Sequence, residues 1–275
     1  GTAKKRKERM ESAGNLKKMR AEWNNPISYR LHLGDDQLDM NALIGRSVHL
    51  HFTGQINCVN CGRNTKKAFG QGFCYPCFRD SPMNAECIIR PELCQGHLGK
   101  GRDPEWEMKH HVQPHVVYLA LTSGLKVGVT RSTQVPTRWI DQGAFQAIKL
   151  AETSNRHEAG LIEVELKDYV SDKTPWQRML KGEDNTAEDL LQRKEEMGAY
   201  IPEPLQDFYS DDDEVYTFSY PIDLYPTKVK SLNFDKQPTI EKTLAGIRGQ
   251  YLIFNDNHVI NLRKFSGYFV EIKAE

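Results

Sequence analysis

A chain of 275 residues with 39% hydrophobic and 27% charged residues is long enough for more than one packed core and too polar for a bundle of membrane helices. Its 37 basic residues balance its 37 acidic ones, so total charge gives no bias toward nucleic acid or anionic lipid. No run approaches the roughly 20 apolar residues of a spanning helix, and the polar start lacks the apolar core of a secretory signal. No membrane partner is therefore expected, and the cytoplasm is the expected compartment.

Residues 1–27 read as a basic arm, with Lys4, Lys5, Arg6, Lys7, Arg9, Lys17, Lys18 and Arg20 against Glu8 and Glu11. Such an arm either seeks phosphate or is a solvated end. Residues 28–56 alternate apolar and polar at 28–33 and again at 47–52, which predicts strands.

All six cysteines fall between residues 58 and 94. Where thiols stay reduced, that concentration points to metal. Cys58-Val59-Asn60-Cys61 and Cys74-Tyr75-Pro76-Cys77 are two CxxC pairs, each able to present two thiolates to one ion. Four thiolates close a tetrahedron and leave no position for a reacting water, so a structural zinc is expected, with an iron–sulfur cluster as the alternative the spacing leaves open. Cys87, Cys94, His97 and one of His110 or His111 form a chemically sensible second site; the competing reading is two buried free thiols and surface histidines. Residues 57–112 are thus expected to form one zinc-binding segment.

Residues 113–180 change character. Strands are predicted at 114–121 and 125–130, a helix opening near Pro136, a strand at 145–152 and a helix at 155–169, where Ala159, Ile162, Leu166 and Tyr169 recur at helical intervals. Residues 181–214 are acidic, ending in Asp211, Asp212, Asp213 and Glu214; they are helix-prone from Thr186 to Met197, then broken by Pro202 and Pro204, and read as a connector. From 215 to 275 strand patterns return, with a hairpin at Asn255-Asp256-Asn257. The whole predicts an α+β fold in which 28–56 and 215–275 form one discontinuous β-domain around an inserted middle.

The order β-β-α-β-α resembles the GIY-YIG nuclease superfamily. Val116-Val117-Tyr118 stands at the GIY strand and Lys126-Val127-Gly128 at YIG, with Arg138 on the first helix and Glu158-Ala159-Gly160-Leu161-Ile162-Glu163 on the second. The resemblance implies that Tyr118 helps shape a nucleophile, that Arg138 neutralises phosphate charge and that Glu163 holds Mg²⁺ or Mn²⁺ against a scissile phosphate. Lys126 replaces the family's second tyrosine and offers a point charge instead. No counterpart of the family's late asparagine is found in 171–176. Arg131, at the end of the YIG strand, is a natural second phosphate contact beside Arg138.

Over most of its length the chain also looks like a bacterial family of a domain of unknown function, through residues 87–92, 126–131 and 138–144, with a zinc-ribbon-like segment. These readings together imply a zinc-binding protein that interacts with DNA or RNA, either cleaving it or only binding it. The alternative is a non-enzymatic adaptor, stapled by zinc, for a protein partner.

Overall fold

The computed structural model describes residues 9–170 and 174–275, and the fold is mixed α+β. Of these, 9–77 and 220–275 belong to one compact unit and those of 78–219 to another.

The first unit is all β apart from short turns. Its main sheet takes strands from both ends of the sequence: β1 (Met10–Asn15), β5 (Ser47–Asn57), β6 (Asn64–Thr65), β11 (Lys230–Ser231), β12 (Thr239–Arg248), β13 (Tyr251–Phe254), β14 (His258–Asn261) and β15 (Tyr268–Ala274). The order is β1-β15-β5-β12-β13-β14-β11, with β6 on the far end of β5. Alternate residues Val48, Leu50, Phe52 and Ile56 of β5 are buried with Ile240 and Leu244 of β12 and Val270 and Ile272 of β15, the period of two that one packed face requires. A small second sheet joins β2 (Arg20–Glu22), β3 (Ser28–Leu33) and β4 (Asp36–Asp39), burying Tyr29, Leu31 and Leu33 beneath it.

The basic arm needs correction where it is described. Met10 to Asn15 pair antiparallel with Ala274 to Phe269, Leu16 and Met19 are buried, and Met19 N donates to Gln250 Oε1 at 2.7 Å. The strand escapes pattern reading because its inward positions are Ser12 and Gly14, which carry no apolar signal. A Cβ on Gly14 would overlap the Gly34 backbone, so close approach of two chains replaces side-chain packing there. Lys4, Lys5, Arg6 and Lys7 lie outside the described residues.

The second unit is built on an antiparallel sheet of order β10-β9-β7-β8, from β7 (His115–Leu121), β8 (Leu125–Arg131), β9 (Gln146–Thr153) and β10 (Tyr216–Thr217). Between β8 and β9 runs α3 (Thr137–Asp141), and after β9 runs α4 (Arg156–Leu166), capped by Asn155 Oδ1 accepting from Glu158 N at 2.9 Å. Ala159, Ile162 and Leu166 of α4 pack with Val117, Leu119, Ile148 and Leu150. β10 pairs with β9, so residues 215–219 join this unit and not the terminal β-domain expected for them.

Residues 181–214 are more than a connector. Within them α6 (Leu190–Gly198), which follows α5 (Trp176–Leu180), sends Leu190 and Met197 into the same core, joined by Ile201. Lys194 on α6 is fully buried, and its Nζ donates to Ser210 O at 2.7 Å, Asp212 O at 3.0 Å and Asp213 Oδ1 at 2.7 Å. The acidic run thus serves as acceptors for a buried ammonium, which could not stay inside without them. Among the described residues no helix is long and apolar enough to cross a membrane.

Candidate metal centres and a polar cluster on the α/β sheet

The first unit gathers Cys58, Cys61, Cys74 and Cys77, whose sulfurs all lie within 4.8 Å of one another. Cys58 leaves the end of β5, and Cys77 sits on α1 (Tyr75–Asp80). Gly62, in the left-handed region at φ 77°, closes the first knuckle by donating its N–H to Cys58 O at 2.9 Å. Gly72, at φ 98°, returns the chain where Val59 N donates to its carbonyl at 2.8 Å. A tetrahedron of thiolates about 2.3 Å from zinc has edges of about 3.8 Å; Cys61 Sγ and Cys74 Sγ stand 3.7 Å apart. Burial pushes the Cys58 thiol up, but the amides of Cys61, Cys74 and Asn60 outweigh it and hold the thiol at about 6. The donor set can hold zinc, and with four protein ligands it would supply structure and no chemistry.

The second unit gathers Cys87, Cys94, Glu107 and His111, all buried, with ligand atoms within 4.8 Å of one another. His111 Nδ1 lies 3.8 Å from Cys87 Sγ and 3.6 Å from Cys94 Sγ, and it also meets the Glu107 carboxylate. Glu107, 2% exposed, is kept above the usual carboxylate range by burial, with the neighbouring His111 opposing. Contact with Cys87 holds the Cys94 thiol down at about 4, and the same contact, then burial, pushes Cys87 up. Two thiols, a carboxyl and an imidazole converge out of water, and this donor set too can hold zinc.

Two of the expected ligands stand apart. His110 turns away on α2 (Pro104–His110), with Nδ1 2.9 Å from Trp106 O and its ring stacked on Trp106. His97 is exposed and stacks on His157 at 4.5 Å. Neighbours on a helix point about 100° apart, so only one of His110 and His111 can face inward. Glu107, one turn before His111, takes the place given to His97. The i, i+4 pairing of Glu107 and His111 was the signal available in the sequence. The segment 57–112 is therefore divided, with 57–77 in the first unit and 78–112 in the second.

The second centre is tied to α4. Arg156 Nε donates to Cys87 O at 3.0 Å and its Nη2 to Ile88 O at 2.9 Å. Arg156 N donates to His111 O at 2.9 Å. One turn on, Gly160 lies against the backbone of Pro91 and Glu92.

Tyr118 is 1% exposed, and its hydroxyl donates to Gln142 Oε1 at 3.0 Å. Its ring meets Trp139 edge-on and covers Gly128, where a Cβ would stand 2.5 Å from the hydroxyl. Burial raises the Tyr118 pKa, with Arg138 and Gln142 opposing and the charge of Glu163 adding. Tyr118, opposite Gly128, and Ala120, opposite Lys126, place Lys126 and Tyr118 on one sheet face. Arg131 pairs with His115 and falls on the other face, so the register separates it from that group.

Glu163 is 7% exposed, with Oε1 3.4 Å from Lys167 Nζ. Its helix packs on the face carrying Val117 and Leu119, and Tyr118 feels the Glu163 charge. Residues 171–173, in the stretch searched for the late asparagine, lie outside the described residues.

Burial holds the Glu163 carboxyl above its ordinary range, with Lys167 opposing. A carboxyl whose folded pKa is raised favours folding below its unfolded value, and that benefit is lost as pH rises through the folded value. Glu163→Gln is therefore expected to stabilise the protein by about 1 kcal/mol at pH 7 and by less at pH 4, measured by urea unfolding at both values. A variant less stable at pH 7 would make the carboxylate a net stabilising partner of Lys167.

Residues 45–270 match the family described as "Protein of unknown function" (DUF2797). No curated protein and no solved structure matches the chain.

Proposed function

We propose, for a chain that belongs to the DUF2797 family, that it is a zinc-stabilised nucleic-acid-binding protein whose second unit uses a GIY-YIG-like sheet to hold phosphate. The observation that carries the reading is the closure of Tyr118 over Gly128 with Arg138 and Gln142 beside its hydroxyl. The glycine of the YIG position is needed there because any side chain would displace the tyrosine. Arg138 is half-buried and supplies a fixed cation, and Lys126 adds a second charge on the same sheet face. The element order β7-β8-α3-β9-α4 also agrees with that family.

The same geometry favours binding over cleavage. Lys126 replaces a phenol, and Glu163, the residue that would hold Mg²⁺ or Mn²⁺, is engaged by Lys167. Arg138→Ala is expected to weaken single-stranded DNA or RNA binding about tenfold and to reduce the slope of log K against log salt by about one. Arg131→Ala, on the opposite face, is expected to change both less. Fluorescence anisotropy from 50 to 200 mM salt reads both quantities. Mn²⁺-dependent cleavage that disappears in Glu163→Gln would move the protein into the nuclease class. No binding of either nucleic acid at low salt would leave the zinc-stapled protein adaptor as the reading.

A further inference from the structure

The small sheet β2-β3-β4 buries Tyr29, Leu31 and Leu33 and turns Ser28, Arg30 and His32 outward. Pairing sets Arg20 directly opposite Arg30, and His32 opposite Gln37. Like charges facing across a strand pair are destabilising, and a carboxylate between them is the usual remedy. Asp39 stands opposite Arg30 on the other side, across β3-β4, yet among the described residues no ion pair joins Arg20 or Arg30 to a carboxylate. The nearby acids are engaged elsewhere. Asp36 accepts from Ser12 Oγ at 2.7 Å, Asp39 from Ala42 N at 3.4 Å, and Glu22 from Asn24 Nδ2 at 3.4 Å. Burial, then Arg20, Lys17 and Arg30, hold His32 below the usual imidazole value, so the positive field is felt by the one neutral base among them.

These side chains line a concavity of about 340 Å³ with Ser28 and Gln37 at its walls and Glu22 at one end. That volume suits a small molecule or a few linked groups better than a single ion. Two guanidiniums from adjacent strands can each offer paired N–H donors to one tetrahedral anion, and the Ser28 hydroxyl and Gln37 amide supply neutral donors alongside.

We propose that the outward face of β2-β3-β4 is a binding groove for phosphate groups, gripped by Arg20 and Arg30 with His32, Ser28 and Gln37 completing it. The groove is built entirely within the first unit and does not depend on the reading given to Tyr118 and Arg138. Its ligand is either a free compound bearing linked phosphates or the backbone of a nucleic acid. An occupant removes the repulsion between Arg20 and Arg30, so the bound form is also the more stable one.

The test uses the full zinc-loaded chain. Inorganic pyrophosphate is titrated by calorimetry, and the His32 imidazole signals are followed by NMR in the same series. Binding is expected to shift those signals, to weaken at least tenfold in Arg20→Ala and in Arg30→Ala, and to persist in Arg138→Ala. Thermal unfolding without ligand is expected to show both groove variants at least as stable as the parent, since each removes the Arg20–Arg30 repulsion; this separates lost binding from lost fold. A labelled 12-nucleotide single strand distinguishes the sources. Binding at least tenfold tighter than pyrophosphate and sensitive to Arg30→Ala assigns the groove to a nucleic-acid backbone. Pyrophosphate binding without that gain assigns it to a free phosphate compound. Failure of both probes to bind, or binding that neither arginine variant weakens, overturns the proposal.

Discussion

The purified chain is expected to carry two zinc ions, and their removal by a strong chelator should produce the largest loss of structure of any treatment short of denaturant. Among the described residues the buried cluster around Cys58 and Cys74 adds only Phe73, with Cys77 packed against it, too little to hold residues 58–77 against chain entropy. Structural zinc in small domains contributes apparent free energies of about 10–16 kcal/mol at neutral pH, so that segment should be disordered without it. In the second unit the apo state leaves the Glu107 carboxylate and two thiols buried around His111, and the loosened 87–94 turns would release Arg156 and Gly160 of α4. Elemental analysis should read two zinc ions in the parent, one in Cys74→Ser, one in Cys94→Ser and none in the double variant. Each single variant should lose at least 10 °C in thermal midpoint. Iron with visible absorption, or two zinc ions retained in Cys94→Ser, would refute this assignment.

Gly160→Ala is expected to destabilise the protein by about 3 kcal/mol, opposite in sign to what the helix alone would do. In the interior of α4, alanine gains roughly 1 kcal/mol over glycine through backbone entropy. At this position the added Cβ would overlap Glu92 N and Pro91 C and stand 2.7 Å from Glu92 Cα. Those are backbone atoms, so no rotamer change relieves the overlap and the 3-10 turn Pro91–Leu93 must move. That turn leads directly into Cys94. The substitution should therefore also lower zinc affinity at the second centre while leaving the first unchanged, checked by chelator competition. A variant as stable as the parent would mean that the 91–93 turn is free to move away from α4.

The first centre was legible because thiolates in CxxC pairs announce both the ligand and its geometry. Cys87 and Cys94 were legible together with one of His110 or His111, while Glu107 offered only its i, i+4 spacing to His111. A carboxylate on a helix is ordinarily a solvated group, and only its burial against His111 makes it a candidate ligand. The strands β7, β8 and β9 were legible as short apolar runs bounded by turn signals such as Thr122-Ser123-Gly124. β1 was not, since Ser12 and Gly14 pack by backbone proximity. The helix of α6 was legible between Thr186 and Met197, but its place in the core was not, because its few apolar residues are diluted by charges and its Lys194 is hidden by acceptors brought from residues 210–213. The break between Cys77 and Phe78 left no trace, because cysteine-rich composition runs across it.

Apart from the two-residue pairing of its last residues with β6, the neighbours of β5 in the main sheet come from the far end of the sequence, β12 at 239–248 and β15 at 268–274. On the ribosome, β5 must therefore wait for about 180 further residues before either edge is covered. At translation rates of about 5–20 residues per second, that is a delay of roughly ten to forty seconds. Throughout it an apolar strand with two open edges is exposed to other chains. The thiols at 58–77 are complete early in the wait, and the second unit, which ends at Ser219, is complete before β12 begins at Thr239. Metal uptake can thus come early in biogenesis and closure of the sheet last, so chaperone dependence should fall on the first unit.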